Sequence, residues 1–238
     1  MDYRVTKLRK SYGPHAILDG IDLACEPGGI TVLLGPSGCG KTSLLNILAG
    51  IDGEFEGNIG DFLLTGTSCV FQEDRLLPWL SAEDNVAFIL KPYMRETERR
   101  KKAAEALSSM GLSENRHMLP GMLSGGMKRR VALARAFACP SPVMLLDEPF
   151  GSLDLKTRIS VMDAFLEVRK SDGRTALVVT HDVREAIYLG DTIITLSEKP
   201  ARVLETHRVD LKKEDRAFAS PAAAGIEARL YDAILNRT

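Results

Sequence analysis

The stretch Gly35-Pro36-Ser37-Gly38-Cys39-Gly40-Lys41-Thr42 constrains this chain more than any other part of it. It fits G-x-x-x-x-G-K-[ST], a glycine-rich loop whose backbone N–H groups surround phosphates. Before it, Ile30-Thr31-Val32-Leu33-Leu34 is an apolar, partly β-branched run suited to a buried strand. After it, Leu44, Leu45, Ile47 and Leu48 recur at helical spacing within Ser43–Ala49, and Gly50 can close the helix. The loop therefore turns a strand into a helix N-terminus, where free N–H groups and the helix dipole favour an anion. Lys41 is placed to reach the β- and γ-phosphates, and the Thr42 hydroxyl to ligate Mg2+.

The rest of the chain narrows what such a loop can serve. Its 238 residues suffice for one large domain with a buried core, or a domain with a lobe. A net charge of −1 gives no electrostatic reason to expect nucleic acid as a ligand. Met1-Asp2-Tyr3-Arg4 is not an apolar leader, and no run of about 18 apolar residues follows, so the chain is expected neither to be secreted nor to span a membrane. Cys25, Cys39, Cys69 and Cys139 contain no C-x-x-C pair, which predicts free thiols in a reducing compartment. His15, His117, His181 and His207 are equally dispersed and form no evident metal cluster.

Along the chain, residues 3–8 and 17–24 alternate as strands around Gly13-Pro14. Short strand pieces are expected at Asn58–Leu64 and Ser68–Phe71. Helices are predicted over Ser81–Leu90 and Thr97–Met110, with Gly111 as a C-cap, and over Val131–Ala138 before Pro140. The run Arg99-Arg100-Lys101-Lys102 reads as a solvated helix face. Thereafter strands at Val143–Leu146, Thr175–Thr180, Thr192–Leu196 and Val203–Thr206 alternate with a helix from Asp154 to Lys170 and another over Asp182–Leu189. In the latter, Asp182 and Glu185 are spaced as a capping pair. Ile226, Leu230 and Ile234 predict an amphipathic tail helix. This alternation on both sides of a helical insert indicates a parallel sheet core carrying a helical lobe.

Two further stretches carry chemistry. Val143-Met144-Leu145-Leu146-Asp147-Glu148 is a buried strand ending in two acids. Asp147 supplies the carboxylate that Mg2+ wants at a sheet's C-terminal edge, and Glu148 is placed to polarise an attacking water. Leu123-Ser124-Gly125-Gly126-Met127 opens a helix with unobstructed N–H groups. By itself it is either a second anion site or a capped helix start.

With these motifs in this order, the chain resembles the nucleotide-binding subunits of ABC transporters over nearly its whole length. The resemblance implies an α/β P-loop NTPase: a RecA-like parallel core, an antiparallel β subdomain and a helical signature subdomain at about 81–138, all one domain over 1–238. Tyr12 matches the aromatic that stacks on adenine. Gly35, Pro36, Ser37, Gly38, Cys39, Gly40, Lys41 and Thr42, with Ser43, match the Walker A loop. Gln72 matches the glutamine that contacts Mg2+ and water, and Ser124, Gly125 and Gly126 fall in the signature. Asp147 ends the Walker B strand, Glu148 matches the catalytic base, Asp154 lies in the D-loop and His181 matches the switch histidine. The implied ligands are ATP and Mg2+, the metal on Thr42, Gln72 and Asp147. The implied partners are a second copy, head-to-tail, with Ser124 and its glycines supplied across the dimer, and integral membrane permease subunits. A solute-binding protein is implied indirectly, and nucleic acid is not. That places the chain peripherally at the cytoplasmic face of the membrane.

The segment Val70-Phe71-Gln72-Glu73-Asp74-Arg75-Leu76-Leu77-Pro78-Trp79-Leu80 looks like importer ATPases for nitrate, sulfonate and taurine, although those for pyrimidine and thiamine precursors are similar there. Trp79 is either a core aromatic or a contact to the membrane subunit. Alternatives for the whole chain are a soluble ABC-type ATPase without a permease and a P-loop metabolite kinase. Two departures from the family stand out. The link from Gly50 to Gln72 is short, which predicts a trimmed β arm. Arg129 stands where glutamine is common, and is expected to alter partner or dimer contacts without touching hydrolysis. Cys39, near a helix N-terminus and Lys41, is either an activated thiolate or a buried inert residue.

Overall fold

Tyr3–Tyr12 (β1) and His15–Cys25 (β2) pair as an antiparallel hairpin, each running past the span its alternation predicts. Val5, Leu8, Ile21 and Leu23 turn inward and are buried; the period of two breaks between Val5 and Leu8, where a register shift with Lys7 at φ 50 turns Leu8 inward. This computed structural model describes residues 2–64, 66–218 and 220–236. Ile30–Leu34 forms β3, and Lys41–Leu48 forms α1 on the far side of the glycine loop. Glu56–Asn58 (β4) completes a three-stranded sheet in the order β2-β1-β4. The arm is short, since β4 has only 3 residues. Beyond it, Gly60–Leu63 is a 3-10 turn rather than the expected strand. A single anchor explains the difference: Phe62 is fully buried, its ring tilted on Tyr3 with centroids 5.3 Å apart.

Thr67–Val70 (β5) leads through an extended segment to Ala82–Ile89 (α2), Glu96–Ser109 (α3) and Gly125–Ala138 (α4). The helix predicted from Val131 starts two turns earlier. Its first turns carry glycines and the charged run Lys128-Arg129-Arg130, which hides the apolar period, while the Ser124 hydroxyl accepts from Met127 N–H and fixes the start. Val143–Asp147 (β6), Leu155–Asp172 (α5), Thr175–Thr180 (β7), Val183–Leu189 (α6), Thr192–Leu196 (β8), Val203–Arg208 (β9) and Ala224–Asn236 (α7) follow. The main sheet runs β5-β6-β7-β3-β8-β9, parallel as far as β8, with β9 antiparallel at the edge.

Both faces of this sheet are covered. Leu33, Leu145, Leu177 and Val179 pack toward α1 and the antiparallel arm. Their neighbours Val32, Leu34, Leu146 and Val178 face the other way, into a core shared with α4, α5 and α6. Such side chains contribute about 1.5–3 kcal/mol each on burial, which is why these strands read as unbroken apolar runs. The loops after β3, β6 and β7 consequently emerge together at one edge, the C-terminal one. Among the described residues, no helix is long and apolar enough to cross a membrane.

Candidate nucleotide site

At that edge the glycine loop wraps the start of α1. Gly40 is the N-cap, with φ 120, and a Cβ there would lie 2.9 Å from Ile17 Cγ2, so only glycine fits both the backbone angle and the space. Lys41 is buried, its ammonium donating to Gly35 O at 2.8 Å and Pro36 O at 2.7 Å. The next residue, Thr42, donates its hydroxyl to Asp147 Oδ2 at 2.7 Å. Asp147 is 4% exposed, and its burial pushes the carboxyl up from its usual range, against the Thr42 hydrogen bond. A carboxylate so held gains from a cation. Two hard oxygens this close fit Mg2+, which takes one or two protein oxygens and keeps water for the rest.

Glu148 follows on a left-handed backbone (φ 44), its N–H donating to Val179 O at 2.9 Å. The turn aims its carboxylate at His181 beyond β7, where Oε1 and His181 Nδ1 are 3.0 Å apart. Tyr12, Ser37, Gly38, Gly40, Lys41, Thr42, Ser43, Gln72, Asp147 and Glu148 line one cavity of about 350 Å³. The loop's Gly35, Pro36 and Cys39 do not line this cavity. Cys39 is buried, its Sγ 3.9 Å from Lys41 Nζ and 3.3 Å from where a Cβ on Gly35 would be, so both the burial and the nearby cation of the two readings are present. Tyr12 is half-exposed rather than strand packing; its hydroxyl donates to Asp52 at 2.7 Å, and Lys10 Nζ lies 4.6 Å from its ring centroid. The Lys10 hydrogen bond, with that of Tyr12, holds the Asp52 carboxyl below its usual range.

Ser124, Gly125 and Gly126 open α4 away from this cavity, the serine and first glycine exposed. Asp154 is also exposed; it caps α5 through Thr157 N–H at 3.1 Å, a bond that lowers its pKa. Asp182 caps α6 as predicted, but Glu185 does not return the bond. It is buried, and Asp182 N–H donates to Thr180 Oγ1 instead. Sequence reasoning missed Ile17 and Lys199, which also line the cavity. Lys199 lies in the turn between β8 and β9, and only the fold brings it there. Arg129 needs the larger correction: it is 3% exposed, so it meets no partner surface, and it lies directly behind the two acids.

From Gln72 the chain passes outward to a second feature. Asn85, buried on α2, accepts from Leu77 N–H and donates to the carbonyls of Leu77, Leu80 and Ser81, fixing a turn that holds Trp79 in solvent, 71% exposed. Trp79 is therefore not a core aromatic. With Phe88, Lys91 and Arg100 it lines a groove of about 330 Å³. Arg100 of the basic run pairs there with Asp84 at 2.8 Å.

Joining a phosphate loop to a carboxylate from a parallel strand two places away in the sheet is how P-loop nucleotide hydrolases of this kind are built. Comparison with known proteins sharpens that class. The ABC transporter family model matches residues 18–151. The aliphatic sulfonates import ATP-binding protein SsuB 2 of Burkholderia lata is 41% identical over 98% of this chain and 85% of its own length. The taurine import ATP-binding protein TauB of Chromobacterium violaceum is 41% identical over 87% of this chain and 82% of its own. Among solved structures, the dimeric ATP-binding cassette MJ0796 bound to ADP and Pi superimposes with a TM-score of 0.77 at 32% identity, covering 88% of this chain and 99% of that one. The chain belongs to the ABC transporter family, and it is an ATP-hydrolysing member of it.

Proposed function

We propose that this chain powers an importer of small solutes of the nitrate, sulfonate and taurine kind, docked on a membrane permease and working as a pair of copies with Mg2+ and ATP. The observation that carries the reading is the continuity of one segment. Gln72 lines the nucleotide cavity, and seven residues later Trp79 stands exposed on a groove with aromatic and basic walls. A helix or loop of a permease laid there would contact the same segment that borders the phosphates. Such an aromatic anchor is typical of an interface core.

Within the site, Gly38, Gly40 and Lys41 hold phosphates, and Tyr12 offers a ring face to the base. Thr42 and Asp147, with Gln72 beside them, hold Mg2+, which supplies charge neutralisation at the phosphates. Glu148 takes the proton from the attacking water, and His181, 3.0 Å from it, orients that carboxylate. Ser124, Gly125 and Gly126, facing away from their own cavity, complete the site of a second copy, and Asp154 lies on the same exposed side. The segment 81–138 serves as the helical subdomain that presents both the groove and Ser124. The solute-binding protein acts through the permease, and the chain resides at the cytoplasmic face of the membrane.

The test is ATP-driven uptake of labelled taurine or an alkanesulfonate by the chain co-expressed with its permease in a host lacking such importers, compared with Trp79→Ala. Uptake that depends on Trp79, while the isolated chain keeps its ATPase rate, supports the reading. ATPase activity that never associates with membranes contradicts it.

A further inference from the structure

Arg129 stands on the second turn of α4, and its guanidinium meets the backbone that carries the two acids. Nε donates to Pro149 O at 2.8 Å, and Nη2 donates to Asp147 O at 2.9 Å and Glu148 O at 2.8 Å. Nη1 donates to Phe71 O and to Gln72 O at 3.3 Å, with Asp74 Oδ1 at 3.4 Å. The five N–H groups of a guanidinium are thus all used, on carbonyls from two separate loops.

These contacts bear on how Glu148 is aimed. Its left-handed backbone is uncommon for a residue with a side chain and persists only where surroundings determine it. The two angles that set it are rotations between the 147–148 peptide plane and the 148–149 plane. Val179 O holds the first plane by its N–H, and Arg129 Nη2 holds it by its C=O. The same Nη2 holds the C=O of the second plane. The opposite side of the guanidinium grips Phe71 and Gln72, while Arg135, farther along α4, donates to Asp74 O and Arg75 O.

We propose that Arg129 is a positioning residue for ATP hydrolysis, fixing the direction of the Glu148 carboxylate and its placement relative to Gln72 from behind the sheet edge. This rests on the reading of Glu148 as the base. A glutamine has two N–H donors and could serve at most two of the five carbonyls. A lysine keeps the charge but presents its donors from one point rather than a planar fork.

Four proteins decide the matter: Arg129→Gln, Arg129→Lys, Glu148→Gln and the Arg129→Gln/Glu148→Gln double variant, each full length. Binding of a fluorescent ATP analogue and single-turnover hydrolysis are measured for each. Arg129→Gln is expected to bind nucleotide as the parent does while turnover falls about 10²-fold, as for a small misplacement of a reacting group. Arg129→Lys is expected to fall less. In the Glu148→Gln background, Arg129→Gln should cost nothing further, because both changes remove the same contribution. Turnover of Arg129→Gln near the parent's, an equal loss of binding and turnover, or a full additional loss in the Glu148→Gln background overturns the proposal. If Arg129→Gln shows no cooperative melting, Arg129→Lys is judged by the same criteria. Parent-like turnover in Glu148→Gln alone would remove the base itself and the proposal with it.

Discussion

Thr42 and Asp147, 105 residues apart in sequence, meet through a 2.7 Å hydrogen bond from hydroxyl to carboxylate. That contact joins the phosphate loop to the strand two places away in the sheet, and it puts two of the proposed metal oxygens at one point. Thr42→Val, which keeps shape and removes the hydroxyl, should raise the Mg2+ concentration for half-maximal ATPase activity by about tenfold or more. Excess Mg2+ should recover much of that rate but not the rate of Asp147→Asn. A Mg2+ titration unchanged in Thr42→Val would take the hydroxyl out of the metal site.

Glu185 makes a pH prediction. Its buried place on α6, with Asp182 nearby, pushes its carboxyl up to about 8 against Arg158, and its Oε1 has no hydrogen-bond partner among the described residues. The folded state therefore keeps a proton that the unfolded chain releases near the ordinary glutamate value of 4.5. Between those two values stability falls as pH rises, by at most about 1.4 kcal/mol per pH unit, and below them the cost vanishes. Glu185→Gln should gain on the parent in urea unfolding as pH goes from about 5 to about 8. Parallel stability curves would show that the buried carboxyl does not titrate in this range.

The cysteines give a labelling order. Cys25 and Cys39 are buried, and Cys69 and Cys139 are partly exposed. Burial pushes the Cys25 thiol up to about 12 and also raises those of Cys69 and Cys139. A maleimide at neutral pH should modify Cys69 and Cys139 first, with Cys25 and Cys39 following only as the fold opens. Peptide mass spectrometry showing Cys39 modified first would instead support the activated-thiolate reading.

What was legible in the sequence had a local cause. β3, β6 and β7 are buried on both faces, so each appears as an unbroken apolar run, and the residues that follow them are functional types at fixed offsets. What was hidden depends on neighbours far along the chain. Phe62 makes a turn because Tyr3 receives it, and α4 starts early because Ser124 caps a segment without an apolar period. Glu185 has the spacing of a capping partner, yet it turns into the core. Arg129 looked like a surface substitution, and only the convergence of loops 71–74 and 147–149 around α4 shows that it lies inside.

The shared-site reading predicts how mixed pairs behave. Lys41→Ala in one copy and Ser124→Arg in the other leave one composite site intact and damage the other twice. Such a heterodimer should bind one ATP, while neither variant homodimer binds any. A heterodimer that binds none would place each whole site within a single chain.

The central claim is that Glu148, held at 3.0 Å from His181, is the base for ATP hydrolysis. Single-turnover hydrolysis by Glu148→Gln, with size exclusion in MgATP, tests it most directly. The account predicts retained ATP binding, turnover lower by about 10²–10⁴-fold and an ATP-dependent dimer. Turnover near that of the parent, with no trapped dimer, would contradict it.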